Sequence, residues 1–124
     1  MRSQTENEMD LSKYPLLQAR KETPFVKQMI GAYTEGGKTY VMNVNGSPMA
    51  RAIWNLILSH RDLKMWCGEQ KMKPHRGWKV SEVKEYFGLK GNGENLLTRF
   101  EALKGEVDRM EADLLQAFKK FQEA

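Results

Sequence analysis

The stretch from Asn95 to Phe121, NLLTRFEALKGEVDRMEADLLQAFKKF, decides the fold class. Its apolar residues Leu96, Phe100, Leu103, Val107, Met110, Leu114, Ala117 and Phe121 are separated by 4, 3, 4, 3, 4, 3 and 4 residues, the a/d rhythm of a helical seam over almost four heptads. No strand alternates in this way. A helix can begin at Asn92 and run to the end of the chain, and Gly105 inside it costs about 1 kcal/mol relative to alanine without ending it. At about 1.5 Å per residue such a helix is some 45 Å long, more than a body of this size is expected to cover. Leu103, Val107, Met110, Leu114 and Phe121 are therefore expected to form an oligomerisation seam, and a homo-oligomer is the expected state.

Working back toward the N-terminus, GLKGNG (88–93) punctuates the chain between this run and a shorter one. Ser81 can cap that shorter helix, which carries Val83, Tyr86 and Phe87 and stops at Gly88. A nucleotide-binding P-loop would need a lysine and a hydroxyl residue after the last glycine, and neither is there. A dinucleotide fingerprint would follow a buried strand, whereas the preceding run has helical spacing.

Further upstream, Ser47 and Pro48 mark the start of another helix, with Ile53, Trp54, Ile57 and Leu58 along it and Gly68 at its end. KTYVMNV (38–44) has the β-branched and aromatic content of a strand closed by Asn45-Gly46, and a lone strand needs a partner from the arm or another chain. Thr23 and Pro24 open a short helix with Phe25, Met29, Ile30 and Tyr33 at helical spacing. Residues 1–22 are polar, contain Pro15, and read as a partly disordered arm anchored at Tyr14, Leu16 and Leu17. The expectation is a mainly α fold: one helical domain over 23–124 with a short β element and a long amphipathic, coiled-coil-like C-terminal helix over 93–124.

With 124 residues, 40% apolar and 29% charged, the chain has the length and mixture of one soluble domain. It lacks an apolar run of the ~20 residues that cross a bilayer, and its first residues lack the apolar centre of a signal peptide. The single cysteine, Cys67, suits a reducing compartment, so a cytoplasmic protein without membrane contact is expected. Charge is uneven. Between Lys64 and Lys90, seven Lys and Arg face three Glu, which equals the whole net charge of +4. An anionic partner is expected there.

KMKPHRGWK (71–79) mixes cations with an aromatic, the pairing that neutralises phosphate and supports or stacks on a base. Lys71, Lys73, Arg76, Trp78, Lys79 and Lys90 are the expected nucleic-acid-binding residues, although a tryptophan in Trp78's position is more often simply a core anchor. From Val80 to Phe100 the apolar skeleton resembles helix-turn-helix DNA-binding proteins: Val83 and Phe87 inward, Gly88 at the turn, Leu89 after it, then Leu96 and Phe100. Lys84 stands where that family has a small residue, and the turn is about two residues longer. Gly88 to Gly91 also resembles the Gly-x-x-Gly loop of KH domains, which implies a backbone-gripping loop with Lys90 at phosphate and a three-stranded sheet.

His60, Cys67 and His75 lack the paired close spacing of a structural zinc site, and nothing supplies an oxyanion hole or orienting acid for Cys67. No metal, cofactor or catalytic residue is expected. The resulting expectation is a small non-enzymatic nucleic-acid-binding or regulatory protein, of a kind that also suits phage and mobile elements. The alternative is a protein-binding adaptor or inhibitor acting through the C-terminal helix, without nucleic-acid contact.

Overall fold

The computed structural model of the chain describes residues 11–68 and 72–123, with side chains as far as Leu114. It is mainly helical, with five helices, a two-stranded antiparallel sheet and a long C-terminal helix among the described residues. The helices are α1 (Pro15–Ala19), α2 (Pro24–Thr34), α3 (Arg51–Cys67), α4 (Val80–Phe87) and α5 (Gly93–Glu123); the strands are β1 (Val41–Val44) and β2 (Ser47–Ala50).

α2 starts as its sequence dictates: the Thr23 side chain accepts from the Val26 N–H at 3.4 Å, and Pro24 fills the first turn. Phe25, Val26 and Met29 are buried on one face. On the same helix Gly31 makes room for a neighbour, because a Cβ there would sit 2.6 Å from the Tyr40 ring.

Ser47 and Pro48 do not open a helix. They form β2, which pairs with β1 in the register Val41↔Ala50, Met42↔Met49, Asn43↔Pro48 and Val44↔Ser47. Asn45 and Gly46 are the two-residue loop, at φ 52° and 82°, the doubly left-handed turn that Asn-Gly accommodates best. The ladder tolerates Pro48 because of its parity. Arg51 N donates to Tyr40 O at 2.8 Å, so hydrogen-bonded pairs fall at 40/51, 42/49 and 44/47, and the missing N–H of Pro48 points away from β1. The strand thus finds its partner directly after the two-residue loop in its own chain, and α3 begins only at Arg51.

α5 packs on α3 and α1, and α2 packs on α3 and α4. Where they meet, Phe87 touches both Phe25 and Phe100, at ring-centroid distances of 4.8 and 5.0 Å, and His60 stacks on Phe100 at 5.9 Å. Of the expected oligomerisation seam, Leu103, Val107 and Met110 are buried within the single chain, at 0%, 0% and 1% exposed. Leu114 is 36% exposed, and the side chain of Phe121 lies outside the described residues.

The cover comes partly from the arm. Residues 11–22 are ordered, with Leu11, Tyr14 and Leu17 buried, while residues 1–10 lie outside the described residues. Two carboxylates on α5 hold the arm in place. Leu17 N donates to Glu106 Oε1 at 2.7 Å, and Tyr14 Oη donates to Asp113 Oδ2 at 2.6 Å. Glu106 and Asp113 are one heptad apart and flank the seam on the same side. Across the seam Tyr33 Oη of α2 donates to Glu111 Oε2 at 2.9 Å. At this level α5 is flanked from both sides by its own chain.

Candidate nucleic-acid interface

The basic loop lies between α3 and α4. Trp78 N donates to His75 O at 3.1 Å, closing a tight turn through Arg76 and Gly77. Lys73, Arg76 and Lys79 are all exposed; Lys71 lies outside the described residues. Trp78 is 7% exposed and packs on Trp66, ring centroids 5.5 Å apart. Its indole therefore does not stand out from the loop to stack on a base, as the nucleic-acid reading expected. It pins the loop's end to the core, so the cations project from a fixed base.

Lys90 is exposed at the other end of α4. No acidic side chain pairs with Lys73, Arg76, Lys79 or Lys90 among the described residues; the described ion pairs belong to Lys27, His60, Arg61, Lys104 and Arg109. Among the described residues these four cations are unneutralised.

The glycine stretch is a joint. Gly88 caps α4 in the left-handed region at φ 67°, its N–H and that of Leu89 both donating to Lys84 O, and Leu89 is buried. A Cβ at Gly88 would land on Thr23 Cγ2, and Arg20 Nε donates to Gly88 O at 3.2 Å. The first two amides of the stretch are thus committed to ending a helix. Glu94 occupies the first turn of α5, where its carboxylate complements the positive helix end.

The helix, turn and helix over Val80–Phe100 match the expected element order, but the start of α5 is a poor reading surface. Its exposed residues include Glu94, Asn95, Thr98, Arg99 and Glu101. Arg99 Nη1 is drawn to Lys90 O at 3.3 Å, and Glu101 pairs with His60 at 2.9 Å. Two carboxylates against one arginine repel phosphate rather than gather it. Among the described residues the sheet is the two-stranded hairpin, not the three-stranded sheet implied by the KH likeness.

Among the described residues no three His, Cys, Asp or Glu side chains converge as metal ligands. His60 is engaged by Glu101 and Phe100, and Cys67 is half-buried at the core's edge. Two phenols are perturbed: burial, then the charge of Glu111 and the hydrogen bond to it, raise Tyr33, and burial raises Tyr86 against a smaller opposing effect of its bond from Asn55.

Sequence reasoning missed the two buried carboxylates, Asp62 at 9% and Glu106 at 2% exposed. For Glu106 no local signal exists, because it sits beside the seam where a solvated residue is the rule, and its partner is a backbone amide 89 residues away. No family model, curated protein or solved structure matches the chain in comparisons with known proteins.

Proposed function

We propose that this chain is a small, non-enzymatic, cytoplasmic nucleic-acid-binding protein that meets phosphate with Lys73, Arg76, Lys79 and Lys90. The supporting observation is that these exposed cations lack acidic partners among the described residues, three of them on one loop pinned by Trp78. Such an arrangement favours contacts along a backbone over reading of base edges in a groove. No helix among the described residues is long and apolar enough to cross a membrane.

Affinity for random DNA and RNA at two salt concentrations tests the reading. Four phosphate contacts weaken binding about 100-fold between roughly 50 and 200 mM salt, and the Arg76→Ala/Lys79→Ala pair should reduce that to about tenfold. Absence of salt-dependent binding would remove the proposal. The second reading, a protein-binding adaptor or inhibitor, draws on a groove of about 350 Å³ lined by Tyr33, Ile57 and Glu111, with Leu114 exposed one turn beyond Glu111. Under that reading the distal part of α5 makes the contact and the Arg76/Lys79 pair is silent.

A further inference from the structure

A second concavity, of about 260 Å³, lies between α3 and α4. Its aromatic lining is Trp78, Tyr86 and Phe87. Asn55, Ser59 and Asp62 line it from α3, at spacings of four and three residues that bring all three to one helix face. Lys79 lines it as well and is thereby common to the cleft and the basic loop.

The hydrogen-bonding capacity of the α3 face is biased. Asp62 Oδ1 accepts from Arg61 Nε and Nη2 at 3.1 and 2.9 Å, which leaves Oδ2 as an acceptor with no partner among the described residues. Asn55 donates through Nδ2 to Tyr86 Oη at 3.3 Å, leaving its carbonyl oxygen to accept. Tyr86 Oη itself donates to Gln28 Oε1 at 2.6 Å and has no hydrogen left to give. Acceptors over an aromatic floor suit a flat heterocycle whose edge donates.

We infer that this cleft binds an unpaired nucleobase bearing an exocyclic amino group, while Lys79 and its neighbours hold the adjoining phosphates; the inference rests on the phosphate-binding reading above. Cytosine, adenine and guanine each present an amino donor, whereas thymine presents only carbonyl acceptors and a ring N–H. The volume lies below the roughly 300–1,000 Å³ of sites for drug-sized ligands and fits one base rather than a base pair. A paired base inside a duplex cannot enter without being flipped out, so the cleft selects single strands. Glu82 also lines the cleft and adds a negative charge there, which favours the donor-bearing base edge over a phosphate inside it.

Fluorescence anisotropy of labelled oligo(dC), oligo(dT) and a mixed-sequence duplex, each roughly 15 nucleotides or base pairs long, provides the test. Wild type should bind oligo(dC) about tenfold more tightly than oligo(dT), the discrimination expected of a well-made base-edge contact. Asp62→Asn should collapse that preference. Ser59→Tyr, which fills the cleft without replacing any cation of the loop, should bring oligo(dC) down to the oligo(dT) level and leave duplex binding and the salt slope unchanged. Thermal melts establish that both variants fold, and either variant alone suffices if the other does not. Equal affinity of wild type for oligo(dC) and oligo(dT), or full oligo(dC) affinity in folded Ser59→Tyr, overturns the base cleft while salt-dependent binding keeps the phosphate reading. If wild type binds no probe at low salt, both fall together.

Discussion

Replacing Leu103 and Leu114 separately with alanine distinguishes an internal core from an intermolecular seam, because the two positions share one heptad rhythm but differ in burial. Leu103 is fully buried and Leu114 is 36% exposed. Truncating a fully buried leucine removes its transfer free energy and leaves a cavity, together about 2–5 kcal/mol. At Leu114 part of the side chain is already in water and solvent can fill the gap, so the cost should stay below about 1.5 kcal/mol. For a chain of 124 residues a loss of 3 kcal/mol lowers Tm by roughly 10 °C. The assay is urea denaturation of wild type and both variants at about 5 and 100 μM protein, the two concentrations separating self-association from internal packing. The midpoints should be independent of concentration, with Leu103→Ala the more damaged variant by at least about 0.5 kcal/mol. A midpoint that rises with protein concentration in wild type, and loses that rise in Leu103→Ala, would refute the assignment of this residue to an internal core.

Gly88→Ala and Gly105→Ala should move stability in opposite directions. The first places a Cβ on Thr23 at φ 67° and should cost about 1–3 kcal/mol, whereas the second meets nothing within 4 Å inside a helix and should gain up to about 1 kcal/mol, both readable by thermal melting. Alkali should destabilise the fold through Tyr33 and Tyr86, whose phenols are raised by burial. The folded state then keeps protons that the unfolded state loses above about pH 10, so stability present below that pH declines as pH rises past it. Tyr33→Phe should flatten the decline between about pH 10 and 11.5, and an unchanged slope would mean the phenol is no more perturbed than in the unfolded chain.

Helix content was legible because periodicity is a local property. Phe25 and Met29 in α2, Ile53 in α3, and Leu96, Phe100, Leu103, Val107 and Met110 in α5 face the core that their spacing predicts, whereas Tyr33 of α2 and Ile57 of α3, on the same spacing, are 41% and 40% exposed. What the 4-3 rhythm does not specify is whose apolar surface fills the seam. A seam against α3 and the arm has the same pattern as one against a second copy, and only the placement of Leu11, Tyr14 and Leu17 decides between them. The hairpin was misread for a related reason. Ser47-Pro48 is a good helix start and also a tolerable edge strand, and the choice is made by Asn45-Gly46, whose left-handed pair returns the chain onto β1. For the candidate site, the cations were legible because charge needs no fold to be counted. The cleft was not, since Asn55, Ser59 and Asp62 meet Trp78 and Tyr86 only once α4 lies beside α3.

The position of the joint between α4 and α5 bears directly on where an anion would bind. A glycine-rich turn before a helix attracts phosphate when its amides are free and its first turn carries no negative charge. Here the amides of Gly88 and Leu89 close α4, Glu94 occupies the first turn of α5, and the Lys84 ammonium lies 3.5 Å from Asn92 Oδ1. The turn is fixed by what it must join: Gly88 has to approach Thr23 closely, which no side chain permits. Lys73, Arg76 and Lys79 carry no such structural duty, since the loop is held by the indole of Trp78 and the turn at His75. Cations whose side chains remain unpaired among the described residues raise the solvent-side potential at one place. That separation of duties, glycines for the turn and cations for the surface, moves the centre of the phosphate-binding proposal from the glycine amides to the loop upstream, with Lys90 as the one cation that the stretch contributes.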